Sequence, residues 1–531
     1  MTDQIRRRRT LAIISHPDAG KTTLTEKLLL YGGAIELAGS VTAKKKQRDS
    51  SSDWMELEKK RGISVSSTVL QFEYNEYRFN LLDTPGHKDF SEDTYRVLMA
   101  VDGVIMVLDA AKGIESQTIK LFEICKKRGV PIITFINKLD RPALAPLELI
   151  DQIESVLSIN AFPVNWPIEN GVTFKGVYDR LDKKVHLFQR VAGGAYKAPV
   201  TVHDINDPSF KNIMIESVYK EFSEEIDLLE HAHVSLDLDA VHKGITTPVF
   251  FGSAANNFGV ELLLNGFLKY SCPPQPRLTD EGDVLQPDHN EFSGFIFKVQ
   301  ANMNPMHRDC MIFIRVCSGK FERDQKAFNS RTKKEIRLSS THNLFGRDRE
   351  TVDEAYPGDI IGFISNGDFK VGDTISSNPK IIFERIPRFA PECFAYINNI
   401  STAGYKAFRK GMDQLIAEDI VQVFTVNERA NTTPLLGAVG NLQFEVFQYR
   451  LQAEYGVDTT FDMMPWTVLR WLETPVDETE LNKKLTYGFA AGKDNTGRQV
   501  VFFKDKWAMQ SFIEKRPEIK LTDLTIDRNQ I

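Results

Sequence analysis

The stretch Ser15-His16-Pro17-Asp18-Ala19-Gly20-Lys21-Thr22-Thr23 lies between an apolar run and a helical pattern. It nearly matches G-x-x-x-x-G-K-[ST], a loop that cradles phosphates. Successive backbone N–H groups and the positive end of the following helix would surround the phosphate oxygens. Lys21 adds a point charge for the β- and γ-phosphates, and the Thr22 hydroxyl is placed for Mg2+. Gly20 lets the backbone approach closely. Ser15 stands where the pattern has Gly, one small residue for another.

Three further clusters complement this loop. Asp83-Thr84-Pro85-Gly86-His87 ends a strand-like run; Asp83 can hold Mg2+ through a water, and Gly86 can present its N–H to the γ-phosphate. Asn137-Lys138-Leu139-Asp140 follows the run Ile132–Ile136. The Asp140 carboxylate can accept from both N1–H and the exocyclic amine of guanine. Adenine has no such pair, and a buried acceptor left unpaired discriminates strongly. Asn137 can bond the base edge and tie loops together, while the Lys138 stem can lie over the ring. Ser253-Ala254 offers a small backbone contact to the base. Taken singly, each is also an ordinary turn. Four of them at strand ends, in this order, point jointly to GTP or GDP with Mg2+.

The elements that must position these loops alternate. Leu11–Ser15 reads as a buried strand and is followed by a helix through Leu30. Val69–Tyr74 and Tyr77–Leu82 flank Asn75-Glu76 as a hairpin. The strand Gly103–Leu108, a helix Thr118–Arg128 and the strand Ile132–Ile136 come next, and Pro248–Gly252 and Val260–Tyr270 resume the rhythm. Such alternation predicts a mostly parallel, doubly wound α/β sheet with its ligand at the carboxyl ends of the strands. Residues 160–245 interrupt it as an insertion, with a hairpin over Phe174–Phe188 and a helical segment after it. Ser271–Pro276 reads as a linker. Short strands separated by Gly turns then predict an antiparallel β-barrel, and helices over Ala407–Ile416 and Leu442–Ala453 among strands predict an α+β domain. The expected division is 1–275, 276–386 and 387–531, consistent with a length of 531 residues.

Composition is that of a globular protein, 42% hydrophobic and 26% charged, with a net charge of −6. The overall charge excludes a general polyanion glove, so any RNA contact must be local. No apolar run is long enough to cross a bilayer, and the basic start MTDQIRRRRT has no apolar h-region. Arg6–Arg9 reads as a solvated terminal arm. The five cysteines are scattered, without CxxC spacing, which argues against a zinc site or disulfide framework and fits a reducing cytoplasm.

Together these motifs resemble those of the translational GTPases, with a P-loop GTPase domain first. SHPDAGKTT, DTPGHKDFSEDTYR, DEAYPGDI and LLGAVGNLQFEVFQYRL resemble, over essentially the whole chain, the bacterial class-II release factors. Within that resemblance Arg61-Gly62-Ile63-Ser64 corresponds to switch I, which implies that the Ser64 hydroxyl meets Mg2+ in the GTP state. His87, where Ras-like GTPases place Gln, is implied to orient the attacking water. Asp18 matches the family's phosphate-loop Asp, which implies a role in placing a cation near the β–γ bridge; the other reading is a carboxylate capping the helix. The implied catalytic set is therefore His87, Lys21 and Asp18, and the implied metal set Thr22, Ser64 and Asp83. The implied partners are the GTPase-associated centre of the ribosome, with its RNA and proteins, and, on the ribosome, class-I release factors; no membrane is implied, and the chain is read as a cytoplasmic monomer. An elongation-factor-G-like GTPase is the alternative, but the chain leaves no room for the tip domain such factors carry.

Overall fold

The computed structural model describes residues 1–35, 67–85, 89, 91–191, 194, 196–205, 216–231, 236–301, 310–345, 348–365, 367–384, 386, 390–400, 404–426, 434–477, 481 and 489–522. Ser64, Gly86 and His87 lie outside them.

Among the described residues eleven strands build the first part of the chain: β1 (Arg8–Ser15), β2 (Thr68–Tyr74), β3 (Tyr77–Asp83), β4 (Gly103–Asp109), β5 (Ile132–Asn137), β6 (Asn160–Pro163), β7 (Asn165–Ile168), β8 (Gly176–Asp179), β9 (Lys184–Phe188), β10 (Val200–Asp204) and β11 (Thr246–Phe251). Seven form one sheet in the order β2-β3-β1-β4-β5-β11-β6, parallel except for β2 against β3. β1 and β4 are buried at every position because helices cover both faces of the sheet. The β2–β3 turn is two residues, Asn75 at φ 48° and Glu76 at φ 66°; two left-handed residues match the twist of the strands they join. β1 pairs with β3 on one side and β4 on the other, so the strand order reverses at β1. Ligand crevices form at such points.

The stretch read as an insertion divides differently. Asn160–Pro163 is the edge strand of the main sheet, parallel to β11, and β7 to β10 form a separate antiparallel sheet in the order β10-β9-β8-β7. The expected hairpin is β8 with β9. The helical segment is Glu216–His231, preceded by the strand β10.

A second, antiparallel sheet of eight strands runs from Ser293–Gln300 to Thr374–Ser376 around a core that includes Phe292, Ile296, Ile314 and Ile375. A third antiparallel sheet of eight strands carries the helices Tyr405–Ala417 and Asn441–Tyr455. Met412 is buried there and Phe408 packs against the same cluster, as core residues should. The chain is thus an α/β unit followed by antiparallel β and α+β units.

The run Arg6–Arg9 is solvated only in its first half: Arg6 and Arg7 are exposed, but the second half is not. Arg8 and Arg9 begin β1 and are 5% and 7% exposed. Arg8 Nε donates to Asp359 Oδ2 at 2.7 Å, and its guanidinium lies over the Tyr356 ring. Thr10 Oγ1 and Asn80 Nδ2 both donate to the Gly358 carbonyl, at 2.5 and 3.0 Å. The linker Ser271–Pro276 is also packed: Gln275 N donates to Asp102, which is itself paired with the buried Arg315. Sequence hides these contacts because the partners lie hundreds of residues away.

Candidate nucleotide site

Four loops converge beyond the carboxyl ends of β1, β3, β5 and β11. After β1, the loop turns through Asp18 at φ 67° and Gly20 at φ 101° before the helix Lys21–Tyr31. Gly20 is needed twice. Its backbone is left-handed, and a Cβ there would lie 2.3 Å from Asn137 Nδ2. The helix begins at Gly20 with no side-chain cap, and Asp18 is exposed, so the capping role weighed for Asp18 is not what the structure shows. Ser15 is buried, and its hydroxyl has no hydrogen-bond partner among the described residues, so a small side chain fits where glycine was expected. His16 Nε2 faces Glu115 at 3.1 Å. Pro17, Thr22 and Thr23 are half-buried, and Ala19 is buried.

Lys21 and Asp83, both buried, form an ion pair between the phosphate loop and the end of β3. Thr84 Oγ1 donates to Ile13 O at 2.7 Å, fixing that end against β1, and Pro85 is buried beside it.

Asn137 joins two loops at once. Its Nδ2 donates to Ala19 O at 2.9 Å, and its Oδ1 accepts from Ala254 N at 2.8 Å, with the side chain 2% exposed. Asp140 Oδ1 accepts from Ser253 Oγ at 2.6 Å. Leu139 is buried and anchors the loop by donating to Gly252 O. Lys138, at φ 70°, pairs with Asp109 Oδ2 at 2.8 Å. The described site residues from all four motifs are therefore brought together; Ser64, Gly86 and His87 are not among them. Asp109 and Glu115 belong to the constellation and escape sequence reasoning. The signal that could have found Asp109 is position: it ends β4, the strand beside β5.

Known proteins divide the chain in the same order. Residues 6–273 match the elongation factor Tu GTP binding domain, and residues 291–378 match elongation factor G domain 2. Residues 383–513 match the class II release factor RF3 C-terminal domain. The peptide chain release factor 3 of Gloeobacter violaceus is 53% identical over 98% of both chains. That of Nostoc punctiforme is 52% identical, covering 97% of this chain and 95% of the relative. This chain belongs to the peptide chain release factor 3 family.

Membership resolves the alternative: release factor 3 relatives match along nearly the full length, and the C-terminal unit is of the release-factor type. The first unit is a translational GTPase domain, and the family is one of GTPases. A crystal structure of a protein from Thermus thermophilus shares the fold, with a TM-score of 0.69 at 21% identity, covering 92% of this chain and 72% of that one. Among the described residues no helix is long and apolar enough to cross a membrane.

Proposed function

We propose that this chain is a ribosome-dependent GTPase of translation termination that promotes dissociation and recycling of class-I release factors after peptide release and stimulates their activity. The observation that supports it is one chain joining the four-loop corner around Asn137 to a release-factor C-terminal unit.

In this reading residues 15–23 and Lys21 hold the phosphates, Lys21 exchanging Asp83 for phosphate oxygens. Asp140, oriented by Ser253, accepts from N1–H and the exocyclic amine of guanine. Ala254 N–H is already committed to Asn137, so the base meets this loop through what that bond leaves free. Thr22, Ser64 and Asp83 offer the hard oxygens Mg2+ prefers, and the ion would neutralise charge on the β- and γ-oxygens. His87 positions the attacking water, and Asp18 lies beside the β–γ bridge. The chemistry needs positioning and charge stabilisation rather than a covalent intermediate. The ribosome, through its GTPase-associated centre of RNA and proteins, supplies the activation, and nucleotide state decides which ribosomal conformation is bound. The same reading keeps units at 1–275, 276–386 and 387–531 and a cytoplasmic monomer.

GTP turnover measured with and without ribosomes carrying a class-I factor tests the proposal: strong stimulation and release of that factor are expected, and equal rates without ribosomes refute it. Asp140→Asn should move base preference from guanine to xanthine nucleotides, read by competition binding. His87→Ala should keep GTP binding and lose ribosome-stimulated hydrolysis.

A further inference from the structure

The helix Asn441–Tyr455 begins at Gly440, which has no side chain to satisfy the free N–H groups of the first turn. The missing cap comes from the nucleotide unit. Leu442 N donates to Asp89 Oδ2 at 3.0 Å, and Asp89 is 7% exposed. In sequence Asp89 stands two residues after His87. Gly440 has φ −155°, extended backbone open to any residue, so its conformation does not require glycine. Space does: a Cβ there would lie 2.1 Å from Asp89 Cγ and 2.3 Å from each carboxylate oxygen. Glycine at 440 is a socket for the Asp89 carboxylate.

A second contact follows on the helix Ser91–Met99. Arg96 Nη2 donates to Asp419 Oδ2 at 2.6 Å and pairs with Glu92 at 2.9 Å, and Gln422 Nε2 donates to Glu92 Oε2 at 3.4 Å. Burial alone would lower the Arg96 pKa; Asp419 and Glu92 outweigh it and hold the guanidinium charged. The segment leaving the Asp83–His87 motif is thus bonded twice to the C-terminal unit. Both contacts involve buried carboxylates, where charge-assisted bonds are strong.

We propose that Asp89 and Arg96 are positioning residues that couple the nucleotide loop to the C-terminal α+β unit, with Gly440 as the socket that makes the coupling available. The inference rests on the GTPase reading above. Coupling is reciprocal: if nucleotide state shares free energy with this contact, breaking the contact must alter the ratio of affinities for the two nucleotide forms.

The test uses full-length protein with Gly440→Ala, Asp89→Leu and both changes together. It reads affinity for GDP and for a non-hydrolysable GTP analogue, the thermal midpoint with each, and kcat and KM for ribosome-stimulated turnover. Each single variant should change the affinity ratio by about tenfold, the worth of one hydrogen bond to a charged group. Ribosome-stimulated kcat should fall by about as much with little change in KM, and the double variant should add nothing further because both changes break one contact. Midpoints lowered equally with both nucleotides, with the ratio intact, would make the contact purely structural and overturn the proposal. If Gly440→Ala fails to fold, Asp89→Leu, which nearly keeps the size of the side chain and offers no acceptor, decides alone. Loss of ribosome-stimulated turnover in the unmodified protein would instead sink the GTPase reading, and this inference with it.

Discussion

Asn137 offers the sharpest perturbation of the nucleotide corner. Replacing it with alanine removes two bonds at once and leaves the Ala19 carbonyl and the Ala254 N–H without their partner. A buried group stranded in this way costs about 1–3 kcal/mol, so the pair costs about 4 kcal/mol. Part of that appears as lost stability and the rest as lost affinity, since both loops must be rebuilt each time nucleotide binds. At about 1.4 kcal/mol per tenfold, the expected loss in GDP affinity is about 100-fold or more. Asn137→Asp makes the argument specific. It has the same shape and still accepts from Ala254 N, but it sets a carboxylate oxygen against the Ala19 carbonyl, where a donor is needed. It should therefore bind no better than the alanine variant. The assay is equilibrium binding of a fluorescent GDP, with thermal unfolding of each variant alongside. Asn137→Asp binding GDP within about threefold of the unmodified protein would refute the claim that donation to Ala19 holds the site together.

Two other outcomes follow from burial. Arg8→Ala should lower stability by about 3 kcal/mol, because it takes the ion pair from the buried Asp359 carboxylate and leaves it the Tyr356 N–H at 2.9 Å and Arg78 at 3.7 Å. Denaturant unfolding that finds no change would restore the solvated arm. Burial pushes the Cys125 thiol up to about 12 and the Cys272 thiol up to about 11, from an ordinary 9.0. The fold thus favours the neutral thiols; their contribution is whole below pH 9.0 and is lost as pH rises toward about 11 for Cys272 and about 12 for Cys125. The thermal midpoint should fall across that window, and alkylation at about pH 8 should be slow until unfolding; fast labelling of the folded protein would contradict the burial.

Local rules make much of this legible. Parallel strands ending in loops declare themselves through apolar runs, and Asn75-Glu76 reads as a two-residue turn between two such runs, with Asn75 a residue that accepts the left-handed backbone it adopts. Asn137 reads as a residue that can tie loops, and in the structure it does so. Pairing across distance is not legible. Nothing near Arg8 announces Asp359, and nothing near Gly440 announces Asp89, so an arginine run reads as an arm and the glycine is passed over. Asp109 and Glu115 escape for a similar reason: their roles lie in the company of Lys138 and His16 rather than in any motif of their own.

The clasp at the start of β1 bears on how the protein is made. Arg8 waits for a carboxylate 351 positions later, and Asp102 for an arginine 213 positions later. A nascent nucleotide-binding unit leaving the ribosome first therefore shows water a face whose charges are meant for the interior. It can form its sheet early, as units of a multidomain chain do. Its final rigidity arrives only when the middle of the chain has emerged, so the enzyme is completed by a part that contributes no chemistry.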